Sequence, residues 1–168
     1  MKTLVLVRHA KSSWSDPELA DIERPLNERG QRDAPRMAQV FRQQLLQPDL
    51  MVSSTAARAL ATAEIFAHEL KYDQAKILRI AELYLAEADE LMDFVRGVDD
   101  AFSVLMLFGH NDGLSHFANR LLDHQDLGSL PTCAVAAMDF TQDQWSRLQW
   151  HSGRIRFFFY PKLLGLKS

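Results

Sequence analysis

The sequence predicts an α/β protein in which helices cover both faces of a mostly parallel sheet. Three observations carry that expectation. Short apolar runs alternate with longer stretches whose apolar residues recur at helical spacing. The runs "TLVLV" and "SVLMLFGH" read as strands buried on both faces. The 168 residues, 47% of them hydrophobic, suffice for one domain, residues 1–168, with a core that needs no disulfide or metal.

The elements follow in order. "TLVLV" is the first strand, and "NERGQRDAPRMAQVFRQQLL" carries Ala34, Met37, Ala38, Phe41 and Leu45 on one helical face. Asn27 suits the N-cap of that helix, while Gly30 and Pro35 leave the position of its start open. "DLMVSS" is a second strand, and Ser53, Ser54 or Thr55 is placed to cap the helix "TAARALATAEIFAHEL". "AKILRI" is a third strand, followed by the helix "DELMDFVRGV" with acidic residues at its start and Gly97 near its end. "SVLMLFGH" runs through "NDG" into the helix "LSHFANRLLD". "CAVAAMDF", "TQDQ" and "WSRLQWHS" then read as an antiparallel hairpin.

This map places chemistry at one edge. Arg8 and His9 follow the first strand, Arg58 follows the second, Glu82 the third, and His110 ends the fourth. In a parallel sheet those ends lie together, where open α/β sheets receive their ligands. An Arg-His pair alone reads as solvated surface, and a lone His110 beside Gly109 as a structural histidine; their convergence is what points to a site. Two arginines and two histidines suit a compact dianion such as a phosphoryl group, because guanidinium forks match adjacent phosphate oxygens. The helix openings after Ser54 and after Asn111 add N–H donors. An imidazole can attack phosphorus, and His9, at a strand tip, is the candidate nucleophile, with His110 as electrostatic partner. An alkoxide leaving group needs a proton, for which Glu82 is the expected acid and Glu87 the reserve.

Other chemistries lack their residues. The net charge of −3 without a basic block argues against nucleic acid, and no apolar run approaches a membrane span or a signal peptide's core. The single cysteine, Cys133, excludes an internal disulfide framework and has Asp139, not Arg, in the place a cysteine phosphatase requires. Walker, dinucleotide and G-x-S-x-G patterns are missing from the sequence. His110 and His116 are too widely spaced for a helical zinc pair, so the expected mechanism uses no metal and no cofactor. The expected compartment is cytoplasmic.

Four ordered segments also resemble a known family. "LVLVRHAKSSW" is similar to the R-H-G signature of the histidine phosphatase superfamily, and "RPLNERGQRDA", "SSTAARALATAE" and "LFGHNDGL" resemble its later motifs. The R-H-A-K-S-S-W opening and G-H-N-x-G ending look most like the phosphohistidine phosphatase (SixA-like) branch. The resemblance implies a three-layer α/β/α sandwich, phosphoglycerate mutase-like. It implies His9 as nucleophile, with Arg8, Arg58, His110 and Ser12 at the phosphate; Asn111, opening the following helix, joins them as a phosphate-binding candidate. Ala10 departs from the usual glycine and Ser15 from a frequent asparagine. No long insertion after the third strand covers the site, which favours an open cleft and a bulky substrate.

The expectation is therefore a metal-independent phosphatase acting on a phosphorylated partner, foremost a protein phosphohistidine. The alternatives are a small-molecule phosphomonoesterase and a non-catalytic phosphate-binding module.

Overall fold

A computed structural model describes residues 1–166. Six strands form one sheet in the order β3-β2-β4-β1-β5-β6. They are β1 (Lys2–Arg8), β2 (Leu50–Ser53), β3 (Leu78–Arg79), β4 (Val104–Gly109), β5 (Val135–Phe140) and β6 (Arg154–Phe159). The first four are mutually parallel where they pair, β5 runs antiparallel to β1, and β6 antiparallel to β5.

The strands are apolar throughout because both faces are covered. Along β1, Leu4 and Leu6 join one core cluster while Val5 and Val7 join the other. β4 divides in the same way, with Leu105 and Leu107 on one side and Met106 and Phe108 on the other. Helices α1 (Glu28–Arg42) and α2 (Ala57–Leu70) cover one face through Met37, Phe41 and Phe66. Helices α3 (Ala88–Arg96) and α4 (Gly113–Leu121) cover the other through Leu91, Val95 and Phe117. The result is the expected three-layer arrangement. None of the described helices is long and apolar enough to cross a membrane.

Several boundaries differ from expectation, each for a physical reason. Helix α1 starts as expected, with Asn27 capping it by accepting from the Gly30 N–H at 2.9 Å, but after continuing through Pro35 it ends at Arg42, short of Leu45. The N-cap of α2 is Ala56; Ser54 instead sits two residues upstream, its Oγ accepting from the Ala56 N–H at 3.1 Å while also meeting His110. The strand in "AKILRI" shrinks to Leu78–Arg79, at the sheet edge. The hairpin is the larger correction. "WSRLQWHS" is not its second strand, which is β6 at Arg154–Phe159. Trp145 and Leu148 are fully buried against the α3 side of the sheet, and the indole Nε1 donates to the Phe102 carbonyl at 2.8 Å. That segment therefore serves as core filling, and the strand forms after it.

Candidate active site

The tips of the parallel strands are level. Arg8 pairs with Gly109, Ser53 with Phe108, and Ser53 with Arg79, so the residues that follow them open at one edge. There Arg8, His9, Ser12, Arg24, Arg58 and His110 line a cleft of about 340 Å³.

His9 is only 7% exposed. Its backbone is held on both sides: the N–H donates to the Gly109 carbonyl, and the carbonyl accepts from the Cys133 N–H. Its ring Nδ1 lies 2.7 Å from the Ala10 carbonyl oxygen. A carbonyl only accepts, so Nδ1 carries the proton and Nε2 keeps its lone pair. Burial, opposed by that hydrogen bond and reinforced by the nearby arginines Arg58, Arg8 and Arg24, lowers the His9 pKa to about 4. The imidazole is thus neutral at pH 7. Ala10 is accommodated without a left-handed backbone, and its N–H donates to Thr62 Oγ1 at 3.0 Å.

His110, 4% exposed, has its ring centroid 5.2 Å from that of His9. Burial, followed by the proximity of His9 and Arg58, lowers its pKa to about 3. Its Nε2 is 2.7 Å from Ser54 Oγ, which already accepts from Ala56. That hydroxyl keeps its proton and a second lone pair, so it pairs with either tautomer; when it donates to Nε2 the ring proton lies on Nδ1. That Nδ1 is buried and has no protein partner, as are Nε of Arg8 and Nε of Arg58. Buried polar groups are normally satisfied, so three orphaned nitrogens among residues of one cleft, two of them guanidinium donors, mark a place where an anion belongs.

Arg58, 3% exposed, gives its two terminal nitrogens to Asp21: Nη1 to the carbonyl oxygen at 2.7 Å and Nη2 to Oδ2 at 3.0 Å. Asp21 Oδ1 also accepts from Nε and Nη2 of Arg24 at 3.1 and 3.0 Å, and Tyr84 donates its hydroxyl to Oδ2. These partners, Tyr84 foremost, hold the Asp21 carboxyl far below the usual carboxylate range, and Asp21 in turn pushes the Tyr84 phenol up.

The remaining expected residues fall in different places. Ser12 lines the cleft, with Oγ accepting from Arg24 Nη1 at 2.9 Å. Asn111 also lines it, but its Nδ2 donates to Ser129 Oγ and to the Leu130 carbonyl, so both amide protons are engaged. The same Leu130 carbonyl accepts from Arg8 Nη1 at 2.9 Å, which makes Asn111 a support for Arg8. Glu82 is not brought to the cleft; it is exposed on a 3-10 turn at Ala81–Leu83 and is not among the lining residues. Glu87 is the N-cap of α3 and lines a neighbouring cavity instead. Sequence reasoning missed Asp21 and the inward role of Arg24. Arg24 stood inside a motif already singled out, whereas nothing about an acidic loop residue foretold that it would bond to Arg58.

A parallel-strand edge that presents paired neutral imidazoles among buried guanidiniums defines a phosphoryl-transfer enzyme of the histidine type. The comparison with known proteins agrees: the family model of the histidine phosphatase superfamily (branch 1) matches residues 4–96, and the chain belongs to that superfamily. It is a phosphatase. The chain is 29% identical over 152 residues, 86% of its length and 69% of the relative's, to the uncharacterized chloroplastic protein At3g52155 of Arabidopsis thaliana. It is 34% identical over 67 residues, 39% of its length and 27% of the relative's, to phosphoglycerate mutase 1 of Saccharomyces cerevisiae. Among solved structures it is similar to the putative phosphohistidine phosphatase SixA from Agrobacterium tumefaciens, with a TM-score of 0.79, 28% identity and coverage of 95% and 98% of the two chains. The protein histidine phosphatase SixA complexed with tungstate shares the fold at a TM-score of 0.81 and 16% identity, over 96% of this chain and 99% of that one.

Proposed function

We propose that the protein hydrolyses phosphohistidine, with His9 as nucleophile. The observation that carries this reading is the protonation state of the site. Among the described residues, the groups lining the cleft include cations, hydroxyls, an amide and imidazoles, and none of them is Asp or Glu. The carboxylate bonded into its wall, Asp21, is held ionised by Tyr84, Arg58 and Arg24. An alkyl ester would have to expel an alkoxide beside no carboxylic acid. A phosphohistidine protonated on its other ring nitrogen brings the proton that the leaving group needs.

In the first step the lone pair of His9 Nε2 forms a bond to phosphorus as the substrate's P–N bond breaks. The bonding pair stays on the departing ring, which leaves as neutral imidazole because its other nitrogen is already protonated. Arg8, Arg58 and His110 Nδ1–H meet the phosphoryl oxygens as charge builds. In the second step a water oxygen bonds to phosphorus, the P–Nε2 pair returns to His9, and a water proton is released. The sum is ring-protonated phosphohistidine plus water giving neutral histidine, inorganic phosphate and one proton.

The test compares a phosphohistidine peptide with a panel of small phosphate esters, with and without EDTA. Preferred turnover of the peptide supports the reading; preference for a sugar, nucleotide or cofactor phosphate replaces it with the small-molecule alternative, and loss in EDTA puts a metal in the site. His9→Ala is expected to abolish turnover and the acid-labile, base-stable phosphoenzyme trapped by rapid quench. Glu82→Gln is expected to leave both substrate classes within about two-fold. A loss of about 10²–10⁴-fold confined to an alkyl ester would make Glu82 the acid after all.

A further inference from the structure

The rim of the cleft carries two apolar side chains that the phosphoryl chemistry does not use. Trp14, in the loop after β1, is 74% exposed, and Leu85, in the loop before α3, is 53% exposed; both line the same cleft as His9. A single exposed apolar residue is ordinary, but two from separate loops on one polar cleft form a local apolar surface.

Neither is loosely placed. The Arg24 guanidinium carbon sits 3.5 Å from the centre of a Trp14 ring, covering one face of the indole. Arg24 is itself fixed by Ser12 Oγ at 2.9 Å, the Ser13 carbonyl at 3.2 Å and Asp21 Oδ1. One indole face is thus pinned, leaving the other face and the edge for a ligand. Leu85 adopts a left-handed backbone with φ 53°, next to Ala86. Gly113, the first residue of α4, packs against the Ala86 carbonyl so closely that a Cβ there would overlap it.

We propose that Trp14 and Leu85 hold the planar ring of the leaving group, so that the cleft selects phosphoryl groups carried on an aromatic ring. The inference rests on the phosphohistidine reading, in which the ring is one bond from the phosphorus held below. A planar ring offers an indole the offset or edge-to-face contact that aromatic pairs prefer, and Leu85 closes the apolar side. The Trp14 contact is lost when the ring is absent, even if the bond being broken is the same.

N-phosphoimidazole and phosphoramidate make that comparison, since both contain a P–N bond and only the first has a ring. Trp14→Ala is expected to lower kcat/KM on N-phosphoimidazole about ten-fold more than on phosphoramidate. Trp14→Phe should recover most of the difference, and Leu85→Ala should shift the ratio in the same direction. Equal losses on both substrates would show that Trp14 acts only by bracing Arg24, and equal retention would show that the rim is unused; either overturns the proposal. If the wild-type enzyme turns over esters but neither P–N compound, the phosphohistidine reading fails separately. The variant-to-wild-type ratios on p-nitrophenyl phosphate and acetyl phosphate then decide the ring contact, a larger loss on the aryl compound sustaining it and equal ratios overturning it.

Discussion

Asp21 is the counter-charge of the cleft. Three arginines crowd the two histidines, and Asp21 takes both terminal nitrogens of Arg58 while holding Arg24. Removing its charge leaves Arg58 more available to an anion. Asp21→Asn is therefore expected to lower the inhibition constant for inorganic phosphate by roughly three- to ten-fold, measured by competition in a turnover assay. A weaker phosphate inhibition would mean that Asp21 matters chiefly for aiming Arg58. At the same scale, His9 must be neutral to attack. Its pKa lowered to about 4 predicts that kcat/KM holds from neutrality down to about pH 5 and falls through about pH 4 as Nε2 gains a proton. An acid limb near pH 6.5 would place the titrating histidine in water.

At the scale of elements, the loop after β1 is clamped against α1 where it lines the cleft. The Asn27 N–H donates to the Lys11 carbonyl at 3.0 Å, and Gly30, in the first turn of α1, lies so close to that carbonyl that a Cβ would overlap its oxygen. The obstacle is backbone, which cannot swing aside as a flexible side chain can. Gly30→Ala is expected to cost about 1–3 kcal/mol in urea unfolding and to lower kcat/KM, because Lys11 lies two residues from His9. Normal turnover with unchanged stability would show that the clamp yields easily.

At the scale of the whole molecule, the site is bought with stability. His9 and His110 are neutral in the fold with pKa values near 4 and 3, while in the unfolded chain each returns to about 6.5. Between those values the unfolded state binds more protons, so stability is full above about pH 6.5 and is lost as pH falls towards 4 and then 3. For His9 alone the loss is on the order of 3 kcal/mol. Urea midpoints measured from pH 7 to pH 4 should decline, and His9→Asn should flatten part of that decline. Inorganic phosphate is expected to raise the midpoint at pH 7 through its binding to the folded cleft.

The sequence by itself determined the alternation of buried strands and helices, and with it the edge at which Arg8, His9, Arg58 and His110 meet. Arg8 ends β1, His9 and His110 directly follow β1 and β4, and Arg58 sits in the first turn of the helix after β2, so strand direction brings them to one edge. Glu82 also followed a strand, but one only two residues long at the sheet edge, and the chain beyond it turned so that Glu82 faced solvent. The hairpin was misplaced by the same kind of limit: the period of "WSRLQWHS" does not say that Trp145 fills a cavity in the core. Asp21 and the Trp14–Arg24 stack were decided by tertiary structure alone. Their partners are brought together by loop paths and not by any repeat along the chain, and the pKa values of the two histidines depend on burial and on arginines gathered from three separate segments.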